Sequence, residues 1–85
     1  MTIKTIRVNS NGNWLNVEEI CNISLVADNI YLLQCIGDAK LCYTSSTPET
    51  SGYITVTDNK PFNYTHTSGN KLFINATNCL FTISF

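Results

Sequence analysis

The strongest constraint on the fold is the spacing of turn residues between positions 52 and 85. Four short runs rich in β-branched and aromatic side chains occupy residues 53–57, 62–66, 71–74 and 79–85. Between them lie Asp58-Asn59-Lys60-Pro61, Thr67-Ser68-Gly69-Asn70 and Asn75-Ala76-Thr77-Asn78. These residue types supply the backbone angles that turns require. Turn clusters recurring every ~8–12 residues predict an antiparallel sandwich or barrel. In the last run Cys79, Phe81, Ile83 and Phe85 share one face at period two, with Thr82 and Ser84 on the other. Each apolar side chain buried there is worth ~1.5–3 kcal/mol, and no Pro or Gly interrupts the run. It is therefore expected to be a central strand that the fold cannot lose.

The first half extends the same grammar. Residues 3–8 read as a strand with Ile6 and Val8 on one face and Thr5 and Arg7 on the other. Asn11-Gly12 signals a hairpin, because a type I′ turn needs positive φ at both central positions, and its second arm would begin near Trp14. Residues 13–20 admit two readings. Asn13 caps a short helix carrying Glu18 and Glu19, or a strand bends at those glutamates into a second strand. Alternation of Cys21, Ile23 and Leu25 against Asn22 and Ser24 favours the strands. Asp28-Asn29 then turns the chain into residues 30–36, apolar enough for a strand covered on both faces or meeting another subunit. Gly37-Asp38 leads back through residues 40–43 as a second hairpin, and 44–51 form a polar loop suited to contact or movement.

The expected class is all-β: one domain, residues 1–85, a small antiparallel β-sandwich or flattened barrel of about seven to eight short strands. Its predicted core is Ile6, Val8, Ile23, Leu25, Leu33, Leu41, Ile54, Val56, Leu72, Ile74, Phe81 and Ile83.

A chain of 85 residues buries only about 60% of its unfolded surface, so its core is modest and partners are one remedy. Charged residues make up 13%, against about 25% in ordinary soluble chains. Asn, Thr and Ser carry the polar surface instead, which points to assembly. The net charge is −1 and Lys and Arg are scattered singly, so no basic stripe offers itself to nucleic acid. No apolar run approaches the ~20 residues that span a bilayer. Met1-Thr2-Ile3-Lys4 lacks a secretory h-region, so the chain is expected to be made in the cytoplasm without a signal peptide.

Cys21, Cys35, Cys42 and Cys79 sit beside Ile, Leu or Phe without a C-x-x-C spacing, and only one His accompanies them. They read as buried thiols before disulfides or a metal set. His66, in a Tyr-Thr-His-Thr run with no carboxylate or Cys, reads as a strand-surface or turn histidine. Glu18 and Glu19, adjacent, point to opposite faces of a strand and make no dyad. Asp28, Asp38 and Asp58 suit turns. Trp14, Tyr31, Tyr43, Tyr53 and Tyr64 offer material for a sugar platform or for an aromatic core. No catalytic, cofactor-binding or metal-ligating residue is predicted, and the expectation is a non-enzyme without a cofactor.

Thr47-Pro48 before Gly52-Tyr53, then Lys60-Pro61-Phe62, Ser68-Gly69-Asn70-Lys71-Leu72-Phe73-Ile74 and the ending Cys79-Leu80-Phe81-Thr82-Ile83-Ser84-Phe85 form a succession. It resembles small virion structural proteins of tailed bacteriophages, of the capsid decoration or head-tail accessory kind. The resemblance covers residues 47–85 and implies that these strands build one sheet of a β-sandwich. It also implies a non-enzymatic virion protein without a cofactor that binds other virion subunits, as a homo-oligomer with a trimer favoured; the scattered charge and short apolar runs leave no expected partner in nucleic acid or membrane. Three rival readings remain: a carbohydrate-binding module using Trp14 or two tyrosines on one coplanar face, a small phage-encoded inhibitor of a host protein, and a hydrolase with a pocket around His66.

Overall fold

In the computed structural model, which describes residues 2–48, 52–56 and 60–85, the turn-separated runs become two four-stranded antiparallel sheets. The strands are β1 (Ile3–Val8), β2 (Leu15–Asn16), β3 (Ile30–Ile36), β4 (Ala39–Thr44), β5 (Ile54–Val56), β6 (Phe62–Thr65), β7 (Lys71–Ala76) and β8 (Cys79–Ser84), with one short helix, α1 (Val17–Cys21), after β2. The first sheet runs β1-β8-β3-β6 and the second β2-β7-β4-β5. Pairing couples β1 with β8, β2 with β7, β3 with β6 and β4 with β5. The chain is thus one long hairpin, its tip between β4 and β5, wound so that its strands distribute between two layers. This is the strand order of a jelly roll, one of the double-sheet solutions to closing an antiparallel fold.

The sandwich expectation holds, and the local connections differ from those expected. Asn11 and Gly12 do take positive φ, 52° and 83°, and the Asn13 N–H donates to Ser10 O at 2.9 Å. The turn nevertheless carries the chain from β1 in one sheet to β2 in the other, not into a hairpin. Gly37, at φ 99°, likewise passes β3 across to β4. Local turn chemistry sets where the chain reverses but not which strand becomes the neighbour. Here β3 is already flanked by β8 and β6, and β4 by β7 and β5. The strands of the C-terminal half do not form one sheet either: β5 and β7 lie in the second, β6 and β8 in the first. Thr57, the Asp58-Asn59 half of its turn and residues 49–51 of the polar loop fall outside the described residues.

Residues 13–26 correct the two-strand reading. Asn16, rather than Asn13, caps α1, its Oδ1 accepting the Glu18 N–H at 2.9 Å. Val17 and Cys21, four residues apart, bury one helical face. Asn22 stops the helix in the left-handed region at φ 54°. Beyond it the Leu25 N–H donates to Glu18 Oε2 at 3.0 Å and the Val26 N–H to Tyr31 Oη at 2.7 Å. Side chains thus satisfy backbone groups that a strand would have paired.

Between the sheets Val8, Leu33, Leu41, Val56, Leu72, Ile74, Phe81 and Ile83 are buried as expected, while Ile6, Ile23, Leu25 and Ile54 are half-buried against them. Val17, Tyr31, Tyr64, Ala39, Ala76 and the thiols of Cys21, Cys35 and Cys79 complete the core. β8 is central, between β1 and β3. Its face ends at Ile83: Phe85 emerges to 42% exposure, 5.4 Å from the Tyr31 ring. β3 is buried on one face only, with Ile30 and Ile36 exposed at its ends.

Candidate functional site

The two sheets present outer faces of different chemistry. On the first, strand register aligns Ile3, Ser84, Leu32 and Asn63 in one row, Thr5, Thr82 and Gln34 in the next, and Arg7, Leu80 and Ile36 in a third. Ile30, beside Thr65, extends the face at one end. Because Ile83, Phe81, Leu33 and Cys35 point inward, alternation turns these residues outward. Ile3, Ile30 and Ile36 are exposed by 60%, 65% and 57%. Arg7 is the only charged side chain among the residues named on the face, and its Nη1 donates to Asn78 Oδ1 at 2.9 Å. The Thr5 and Thr82 hydroxyls meet at 3.2 Å.

On the second sheet Leu41 and Ile74 point inward, so Lys40, Cys42, Phe73 and Asn75 point out. Trp14 precedes β2 and Tyr53 precedes β5, strands at opposite edges of this sheet. Their rings nevertheless meet, with centroids 6.0 Å apart and planes tilted by 54°. The Lys40 Nζ lies 5.1 Å from the centroid of the Tyr53 ring. Cys42 is an outward residue at only 1% exposure, its Sγ donating to Gly52 O at 3.3 Å. Next to this cluster, Gly12, Asp38, Lys40, Thr55, Asn75 and Thr77 line an open cleft of about 690 Å³. Asn75 is fixed in its wall, with Nδ2 donating to Gly12 O at 3.1 Å and Oδ1 accepting from Ser10 Oγ at 3.0 Å.

The five aromatic residues singled out in the sequence do not make one platform. Tyr31 and Tyr64 are buried in the core, and only Trp14 and Tyr53 come together on an outer face. Tyr43, half exposed, packs its ring 5.3 Å from that of Tyr64 with the planes tilted by 49°. His66 corrects its own reading: it is 6% exposed, with Nδ1 2.8 Å from Tyr64 Oη. Its backbone is pinned by bonds to Asp28 N–H and Asn29 O. This is a structural histidine closing one end of the core, not a surface one. Burial pushes the Tyr64 hydroxyl up to about 12, with the nearby charge of Glu18 adding to it. All four thiols are free and buried. Burial, then the neighbouring Cys79 thiol, raises Cys35 from 9.0 to about 12, which makes it inert as a nucleophile near neutrality.

Sequence reasoning held Trp14 and Tyr53 in its aromatic set but had no means to pair them across a sheet whose order it lacked. Lys40 and Thr55 stood only as strand residues and Asp38 and Asn75 only as turn residues, with no site role for any of them. Alternation around Ile54 and Val56, which turns Tyr53 and Thr55 outward together, was the signal available. Among the described residues no group of three His, Cys, Asp or Glu side chains is placed to hold a metal ion. No family model matches this chain, and neither a curated protein nor a solved structure matches it.

Proposed function

We propose that this chain is a non-enzymatic structural subunit that docks through the outer face of the β1-β8-β3-β6 sheet onto other copies of itself and onto neighbouring virion subunits. The resemblance of residues 47–85 to phage decoration and head-tail accessory proteins supplies the setting, and a trimer is the favoured assembly. One observation carries the reading. Exposed Ile3, Ile30 and Ile36, with Leu32 and Leu80, lie in a field of Thr, Ser, Asn and Gln in which Arg7 is the one charge among the residues named on the face. Interface cores are depleted of charge, because burying an ion costs far more than burying an amide or hydroxyl that finds a partner. A face ready to leave water has this composition.

The test is solution mass by light scattering, for the native chain and for Ile30→Lys and Ile36→Lys. These variants add charge at exposed positions and leave the core untouched. A trimer or larger ring that persists in reductant and dissociates in the lysine variants supports the proposal. A native chain that stays monomeric at high concentration and fails to add to virion particles refutes it.

A further inference from the structure

The second sheet presents an opposite kind of surface, and its features need a separate account. Trp14 and Tyr53 are not required by the core, yet loops at opposite edges of the sheet bring their rings to 6.0 Å on its outside. Tyr53 remains 52% exposed. Lys40 joins this pair to the neighbouring cleft, since its ammonium sits by the Tyr53 ring while its side chain lines the cavity. The cleft, about 690 Å³ and open to solvent, lies within the ~300–1,000 Å³ typical of small-ligand sites.

Its lining decides the ligand class. The Asp38 carboxylate accepts hydrogen bonds, the Lys40 ammonium donates them, and the Thr55 and Thr77 hydroxyls do both. One negative and one positive group offset each other, so the cleft offers no net attraction for phosphate or another anion. The aromatic flank requires an apolar surface on the same ligand. A ring carrying many hydroxyls on its edge and C–H bonds on its face meets both demands. We infer that the outer face of the β2-β7-β4-β5 sheet binds a neutral oligosaccharide, one sugar ring lying against the exposed Tyr53 ring that Trp14 supports and the next entering the cleft, where its hydroxyls bond to Asp38, Lys40 and Thr55. This site lies on the opposite sheet from the proposed assembly face and does not depend on it.

The probe is a printed array of plant, animal and bacterial glycans, followed by calorimetric titration with the free oligosaccharide bound best. Tyr53→Ala is the principal variant, because an exposed side chain can be removed without disturbing the core, and Asp38→Asn tests the polar wall. Ser24→Ala, at an exposed position that belongs to neither outer face, is the control. The expected result is binding by the native chain, weakened at least roughly tenfold in Tyr53→Ala and Asp38→Asn and retained in Ser24→Ala. The inference is overturned if the native chain binds no glycan, if Tyr53→Ala or Asp38→Asn binds as well as the native chain, or if Ser24→Ala loses binding equally.

Discussion

Ser10 is a small residue on which two parts of the fold are fastened. It is 5% exposed, and its backbone N–H donates to Ala76 O at 2.8 Å. Its Oγ accepts the Ala76 N–H at 2.9 Å and has both Ala76 O at 2.9 Å and Asn75 Oδ1 at 3.0 Å within reach of its own proton. Ser10→Ala deletes that oxygen and creates almost no cavity. It leaves the Ala76 N–H unpaired at a residue 4% exposed, where water has little access. A stranded buried donor costs about 1–3 kcal/mol, and the half-buried Asn75 amide keeps only its bond to Gly12 O. For a domain of this size each kcal/mol lowers Tm by about 4–8 °C. A loss near 2 kcal/mol thus corresponds to roughly 8–16 °C. Thermal unfolding followed by far-ultraviolet circular dichroism measures it, with the exposed Ser24→Ala as control. Combining Ser10→Ala with Asn75→Ala should show a coupling of ~0.5–3 kcal/mol between the two. A Tm within about 2 °C of native, or equal to that of Ser24→Ala, would refute the reasoning.

Other expectations follow from the same geometry. Stability should be complete below about pH 9 and fall as pH rises toward 12, because unfolded thiols and tyrosines ionise while Cys35 and Tyr64, both raised to about 12, keep their protons in the fold. Each such group contributes a slope of about −1.4 kcal/mol per pH unit between its two values, and urea titrations in reductant that are flat from pH 8 to about pH 11 would contradict it. Phe81→Ala, at a fully buried position of the central strand, should cost ~3–5 kcal/mol and leave little folded protein at 37 °C, read as lost near-ultraviolet dichroism. Asn22→Gly should be neutral or slightly stabilising, whereas Asn22→Ala should lower stability by about 0.5–1 kcal/mol, since the position holds φ at 54°.

The C-terminal strands were legible because period-two alternation and turn clusters are both local signals, and Phe81, Ile83, Leu72 and Ile74 lie where that alternation puts them. The buried thiols were legible too, from their apolar neighbours. The sheet each strand joins was not, because β1 pairs with β8 and β2 with β7 at the largest separations the chain allows. His66 was misread for a related reason. Its own run contains no partner except Tyr64, and what covers it comes from the Asp28 and Asn29 turn that β3 brings alongside β6. In α1 the glutamate pair that suggested a bend is a first helical turn, and Asn16 rather than Asn13 supplies the cap. The Trp14 and Tyr53 pair needs the order β2-β7-β4-β5 before it exists at all.

The pairing of β1 with β8 also sets the moment at which this protein can fold. Val8 pairs with Cys79 and Ile3 with Ser84. At ~5–20 residues per second, a ribosome needs about 4–14 s to make the roughly 70 residues between the first strand and its partner. Throughout that interval Ile3, Ile6 and Val8 have no sheet to join, and neither does any inner strand that awaits a later one. The inner pairs β4 with β5 and β3 with β6 can close earlier, but β1 stays without a neighbour until β8 is made. Chains stalled before residue 79 are therefore expected to aggregate, a consequence of a hairpin wound from its tip.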